Sequence, residues 1–385
     1  MTEASFEEEK DGPDSDYLSL WILRECIIST VEALRSTVGE EGTKSAISPY
    51  LINAAKAFTI NMRDKVAEDG FGIRILKVWL WGNNALTGAA RSFSVGPREV
   101  LLINSGCPFE GRAQELCNVV CQLGAETMLR DIRPDYSFQQ TPAHETMDHT
   151  CTWRAYWNEG GPAPNAQTKI FDAKEYLNLW TDEEKKWLSH HVTAEFWLST
   201  IRALEDQIGA DDAAVILEPF MREVGALVFS KLNNKLGPPE KSARTAACLI
   251  SQINELENQN GTEILSGDRV ISKRIVECPF CDSPEIFCKQ YEVMCDAICK
   301  EVSPDLSFRY ESMISRGDPN CVWVISSKEN ARTKDGKKKG DEPGSQTIDP
   351  LRVLLQRLAR GEISREEYEE LKAFISSELK DRPKR

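Results

Sequence analysis

The chain has 385 residues, enough for two or three domains that each bury a core. A formal net charge of −14 sets most of the surface against phosphate backbones and disfavours nucleic acid as a partner for the body of the protein. No apolar run reaches the roughly 18 residues of a membrane span. The acidic, polar start lacks a signal peptide's basic and apolar regions, so the 12 cysteines read as thiols of a reducing, cytoplasmic compartment.

Residues 1–16 read as a disordered acidic leader. From Tyr17 to Val38 apolar residues recur at helical spacing (Leu20, Ile27, Val31, Leu34), and Gly39 stops the helix. Ser48-Pro49 opens a second helix that runs to about Val66, with proline at its first position. A less regular region with Trp79 and Trp81 follows. Glu99 to Asn104 reads as a strand entering Cys107, Gln114 to Asp131 as a helix, and Tyr136 to Gln139 and Cys151 to Trp157 as strands. Gly160-Gly161-Pro162-Ala163-Pro164 marks a break. Beyond it the pattern predicts helices at about 183–208, 211–236 and 241–258, strands at 262–265 and 269–277, a helix at 284–302, and strands at 307–315 and 320–327.

The two series share one cysteine pattern. Cys107-Pro108-Phe109, Cys117, Pro134-Asp135-x-Ser137-Phe138 and Cys151-x-Trp153 return as Cys278-Pro279-Phe280, Cys288, Pro304-Asp305-x-Ser307-Phe308 and Cys321-x-Trp323. Ser29, Thr30, Ala33, Leu34, Gly39, Pro49 and Lys65 likewise return as Ser199, Thr200, Ala203, Leu204, Gly209, Pro219 and Lys235. The offset changes by one residue and changes back, which a duplicated fold tolerates in loops. The expected architecture is α+β: two duplicated domains at 17–157 and 183–327, each with helices packed on a mostly antiparallel sheet. Residues 158–182 and 328–348 read as linkers, the second rich in lysine and glycine. A helical hairpin at 349–377 closes the chain, with Ser364 and Glu367 forming a capping box.

Cys278, Cys281, Cys288 and Cys321 lie on separate elements, and four thiolates could close a tetrahedral site for zinc or another thiolate-ligated metal. In the first copy Glu110 stands at the place of Cys281. The shared candidates are Cys107, Cys117 and Cys151, with the fourth ligand left open among Glu110, Cys121, His144 and His149. Three ligands leave a position for water or substrate. Trp153 and Trp323 are candidates for lining a bound ligand. Against this, Cys295, Cys299, Cys26 and Cys248 read as small buried residues. No histidine lies between Cys278 and Cys321, which excludes a Cys–His dyad repeated in both copies.

Cys278-Pro279, Cys288, Gly317-Asp318-Pro319 and Cys321-x-Trp323 resemble the 4-vinyl reductase (hydrocarbon-binding) domain and the related L-2-amino-thiazoline-4-carboxylic acid hydrolase-like family. The first copy matches at Cys107-Pro108-Phe109, Cys117 and Cys151 but has Met147-Asp148-His149 in place of Gly-Asp-Pro. The resemblance implies a helical layer on an antiparallel sheet around a ligand cavity, with small-molecule sensing, tetrapyrrole-pathway and redox-regulatory roles among relatives. Asp349-Pro350-Leu351, Leu358, Gly361-Glu362-Ile363-Ser364, Glu367-Tyr368 and Leu371-Lys372 are similar to the short C-terminal (SHOCT) domain, which implies self-association or partner binding. Three functions follow as expectations. The leading one is a cytoplasmic small-molecule- or metal-binding or redox-sensing protein oligomerised by the hairpin. The others are a hydrolase of small thiazoline or amide compounds and a pseudo-dimeric scaffold.

Overall fold

The computed structural model describes residues 15–65, 90–96, 98–109, 112, 116–132, 136–142, 145–146, 149–157, 169–172, 181, 194–236, 241–256, 259–266, 270–278, 280, 283–327, 367–368 and 372. Helix α1 (Ser15–Lys65) is broken at Gly39, whose φ of 73° and ψ of 177° are adopted readily only without a Cβ. The second segment starts directly after Gly39, so Pro49 lies inside a helix rather than at its first position. An internal proline costs about 3 kcal/mol. Ile47, Leu51, Ala55 and Phe58 are all buried on this segment. At roughly 1.5–3 kcal/mol for each large apolar side chain, that burial outweighs the proline. The same break recurs between α3 (Glu195–Ile208) and α4 (Ala210–Leu236), where Gly209 has φ 84° and ψ 156° and Pro219 lies inside α4.

The first sheet holds β1 (Ala90–Val95), β2 (Glu99–Ser105), β3 (Tyr136–Thr141), β4 (Thr150–Trp157) and β5 (Lys169–Asp172), all antiparallel, in the order β3-β4-β2-β1-β5. Two strands differ from expectation. β1 falls where the sequence reads as irregular, yet Ser92-Phe93-Ser94-Val95 alternates and Phe93 is buried. β5 comes from residues read as linker and pairs with β1. A π-helix (Cys117–Gly124) continued by α2 (Ala125–Ile132) replaces the expected regular helix. The segment from Cys117 to Pro134 is one residue longer than that from Cys288 to Pro304. A π-helix, bonded i to i+5, takes up one extra residue without a break. The gained residue therefore lies in a helix, not a loop.

Helix α5 (Ala243–Leu256) leads to β6 (Asn260–Ser266), β7 (Val270–Glu277), α6 (Glu285–Val302), β8 (Leu306–Ser312), a 3-10 turn (Ile314–Arg316) and β9 (Cys321–Ser327). The second sheet is antiparallel with order β6-β7-β9-β8. Read from the other edge, β8-β9-β7-β6 repeats the connectivity of β3-β4-β2-β1. Helix α6 buries Ile286, Phe287, Tyr291, Met294, Cys295 and Ile298 along one face. It approaches α4 closely at Gly225, where a Cβ would meet the Met294 carbonyl oxygen at 2.5 Å.

The two halves share one hydrophobic core. Helix α1 packs along α3 and α4. The recurring residues Ser29, Thr30, Ala33 and Leu34, and Ser199, Thr200, Ala203 and Leu204, are all buried. Small side chains on both helices permit close packing. The Trp197 indole N–H donates to the Thr30 hydroxyl at 3.1 Å, and that hydroxyl donates to the Cys26 carbonyl at 2.7 Å. Of the 349–377 hairpin, only Glu367, Tyr368 and Lys372 lie within the described residues. Tyr368 is buried in the same core, and Lys372 pairs with Asp212 at 3.6 Å. No helix among the described residues is long and apolar enough to cross a membrane.

Candidate functional site

Antiparallel pairing puts directly opposed residues on one sheet face. On β4, Cys151, Trp153 and Ala155 are buried together, so that face meets the core. Cys151 pairs with Asn104, and Trp153 pairs with Leu102 and Gln140. On β9, Cys321, Trp323 and Ile325 form the corresponding face. There Cys321 pairs with Ile275, and Trp323 pairs with Lys273 and Tyr310. The two halves therefore share the Cys-x-Trp frame and differ at three neighbouring positions: Asn104 against Ile275, Leu102 against Lys273, and Gln140 against Tyr310.

In the first half Cys107 is half-buried after β2, while Cys117, Cys121 and Cys151 are buried. The wide turn of the π-helix brings Cys117 and Cys121 to one face. Burial pushes the Cys121 thiol well above the usual thiol range, and the neighbouring Cys117, Cys107 and Cys151 push it further. Of the fourth positions left open by the sequence, Cys121 joins this group. His149 is exposed, and Glu110 and His144 lie outside the described residues. The Gln140 side-chain amide donates to the Cys151 sulfur at 3.6 Å. Trp153 is buried edge-on to Phe138 at 6.0 Å.

In the second half Cys278 and Cys288 are half-buried, Cys321 is buried, and Cys281 lies outside the described residues. Burial raises the Cys288 thiol. The Ser315 hydroxyl and Arg316 pull it back, while Cys321 and Glu285 raise it further. The Ile314 backbone N–H donates to the Cys321 sulfur at 3.3 Å, so the 3-10 turn fixes that thiol. Tyr310 was not singled out by sequence. Burial raises its hydroxyl well above the ordinary phenol range, with Cys295, Cys288, Cys321 and Cys278 as further causes. Four thiols thus lie near enough to act on one phenol. Cys295 is fully buried, as its helical spacing suggests, and it also belongs to this group. Cys26 and Cys299 are buried as expected, whereas Cys248 is exposed. Trp323 is 1% exposed, stacks at a tilt against Phe308 and leaves its indole N–H without a hydrogen-bond partner among the described residues.

A cleft of about 500 Å³ opens beside this group, lined in part by Glu218, Arg222, Glu292, Asp296, Phe308 and Arg316. Arg222 bridges Glu218 at 3.1 Å and Asp296 at 3.2 Å, and Arg316 pairs with Glu285 at 3.3 Å. Arg316 links the cleft wall to Cys288. The sulfur-rich donor set suits a soft metal. Among the described residues, however, no group of three or more His, Cys, Asp or Glu side chains is arranged to hold an ion. The raised thiols are protonated at neutral pH, so metal binding would have to displace their protons.

No family model, curated protein or solved structure matches this chain.

Proposed function

We propose that the chain is a binding or sensor protein whose effector site is the thiol group of the second half, Cys278, Cys288 and Cys321 with Cys281. The observation that carries this is the convergence of thiols from separate elements, after β7, on α6 and at the start of β9, around the Tyr310 hydroxyl. The buried Trp323 indole N–H, without a hydrogen-bond partner among the described residues, adds a donor on the same sheet face as Cys321. The ligand class is a thiophilic metal ion of the zinc type, held by Cys278, Cys288, Cys321 and Cys281. Binding would fix the junction of β7, α6 and β9. Duplication of the domain is part of the proposal, supported by the matching strand connectivity and the matching breaks at Gly39 and Gly209. So are kinship with hydrocarbon-binding domains, self-association through the 349–377 hairpin, and a reducing cytoplasmic compartment. Every described cysteine is a free thiol, which suits the last of these.

Elemental analysis and native mass spectrometry on protein purified without air test the proposal. The expected result is about one metal per chain, absent from Cys278→Ser with the fold retained by circular dichroism. Protein that is metal-free as purified and takes up no zinc on titration would refute it, leaving the thiols as packing residues. Native mass of the full chain against a chain ending at residue 348 tests the hairpin: the expected outcome is an oligomer for the first and a smaller species for the second.

A further inference from the structure

We infer that the first half carries a separate site for a small uncharged molecule bearing an adjacent hydrogen-bond donor and acceptor, such as a primary carboxamide. The centre of the site is Asn104. It is 2% exposed, and both atoms of its side-chain amide, Nδ2 and Oδ1, lack a hydrogen-bond partner among the described residues. Buried polar groups in folded proteins are almost always bonded. An amide stranded in a core costs more than an apolar side chain of the same size, so a buried one that persists calls for a partner. Asn104 lies on the core face of β2, directly across from Cys151. Cys121 lies near Cys151, and the Gln140 amide donates to the Cys151 sulfur.

The chemistry of these neighbours selects the ligand class. Asn104 offers a donor and an acceptor side by side, which match a carboxamide in a paired arrangement. The cross-strand positions around the site, Leu102, Gln140, Cys151 and Trp153, carry no charge. A carboxylate or an ammonium group would find no counterion at these described positions, at a cost an uncharged amide avoids. The second half cannot repeat the site, since Ile275 stands where Asn104 does. The inference is therefore independent of the metal proposal.

The test is thermal unfolding of the full chain with acetamide, N,N-dimethylacetamide or sodium acetate. A ligand bound only by the folded state raises Tm with the logarithm of its concentration once past its dissociation constant. Acetamide should raise Tm by a few degrees. N,N-dimethylacetamide, which lacks N–H donors, and acetate, which is charged, should not. Asn104→Leu should abolish the acetamide response. Asn104→Thr, which suits a strand and lacks the paired donor and acceptor, should do the same if the leucine variant does not fold. No rise with acetamide, an equal rise with its dimethyl analogue, or an undiminished rise in the folded variant overturns the inference. A wild-type chain indifferent to acetamide with a stabilised Asn104→Leu would likewise overturn it, by showing a stranded amide with no ligand to meet it. Metal content is unaffected by this outcome, so the two proposals fail separately.

Discussion

Gly209→Ala is the cleanest perturbation of the fold. Gly209 is the sole residue between α3 and α4, and its φ of 84° with ψ of 156° lies in a region almost confined to glycine. A Cβ there would meet nothing within 4 Å, so the substitution adds no clash and isolates the backbone cost. That cost is about 1–3 kcal/mol. Alanine also narrows the unfolded ensemble, which offsets about 0.4–1 kcal/mol. The net loss is about 1–2 kcal/mol, or a Tm decrease of about 2–8 °C for a unit of roughly 150–250 residues. The backbone bonds that flank the break, Gly209 N–H to the Glu205 carbonyl at 2.7 Å and Ala213 N–H to the Gly209 carbonyl at 2.9 Å, carry α3 up to Gly209 and start α4 from it. Urea unfolding followed by circular dichroism measures the effect as a lower midpoint with unchanged slope. Gly39→Ala should show a loss of similar size, since Gly39 has φ 73°, ψ 177° and equally open surroundings. A midpoint equal to or above wild type in either variant would refute the argument from backbone conformation.

Four further outcomes follow from the structure. Thr30→Val keeps the shape of the side chain but strands the Trp197 indole N–H, and should cost about 1–3 kcal/mol. In a double-mutant cycle with Trp197→Phe the two losses should be non-additive, and strict additivity would contradict a direct bond between the halves. Gly225→Ala should destabilise by about 1–3 kcal/mol, because the new methyl meets the Met294 oxygen at 2.5 Å and the Ala297 Cβ at 2.7 Å and forces α4 from α6. Stability should also fall as pH rises through about 9. Cys121, Cys288 and Tyr310 hold their protons to higher pH when folded than when unfolded, so above the ordinary thiol value the unfolded chain binds fewer protons. Below that value their contribution is fully present. Iodoacetamide at neutral pH should label exposed Cys248 before Cys288, and the reverse order would mark Cys288 as an activated thiolate.

The repeated cysteine pattern was legible because ligand-like residues at fixed spacing survive any loop around them. So was the long α6, whose buried residues follow one helical face. The break at Gly39 was legible, but the start of the next segment was not. Ser48-Pro49 carries the local signs of a helix start, and burial of Ile47, Leu51 and Phe58 overrode them. β5 was hidden because four residues gain strand form only by pairing with β1, which lies far back in the chain.

Sequence alone determined that Cys107, Cys117 and Cys151, and Cys278, Cys288 and Cys321, form two comparable sets, and that one residue is gained and lost between them. Tertiary structure decided what each set faces. Strand register placed Asn104 and Gln140 around the first Cys-x-Trp and Ile275, Lys273 and Tyr310 around the second. Tertiary packing also set Cys121, on the π-helix, and Cys295 near the other thiols of their groups. The physical reason is that a side chain's partners across a sheet are set by which strands pair and in what register, and that pairing is stabilised by contacts distant in sequence.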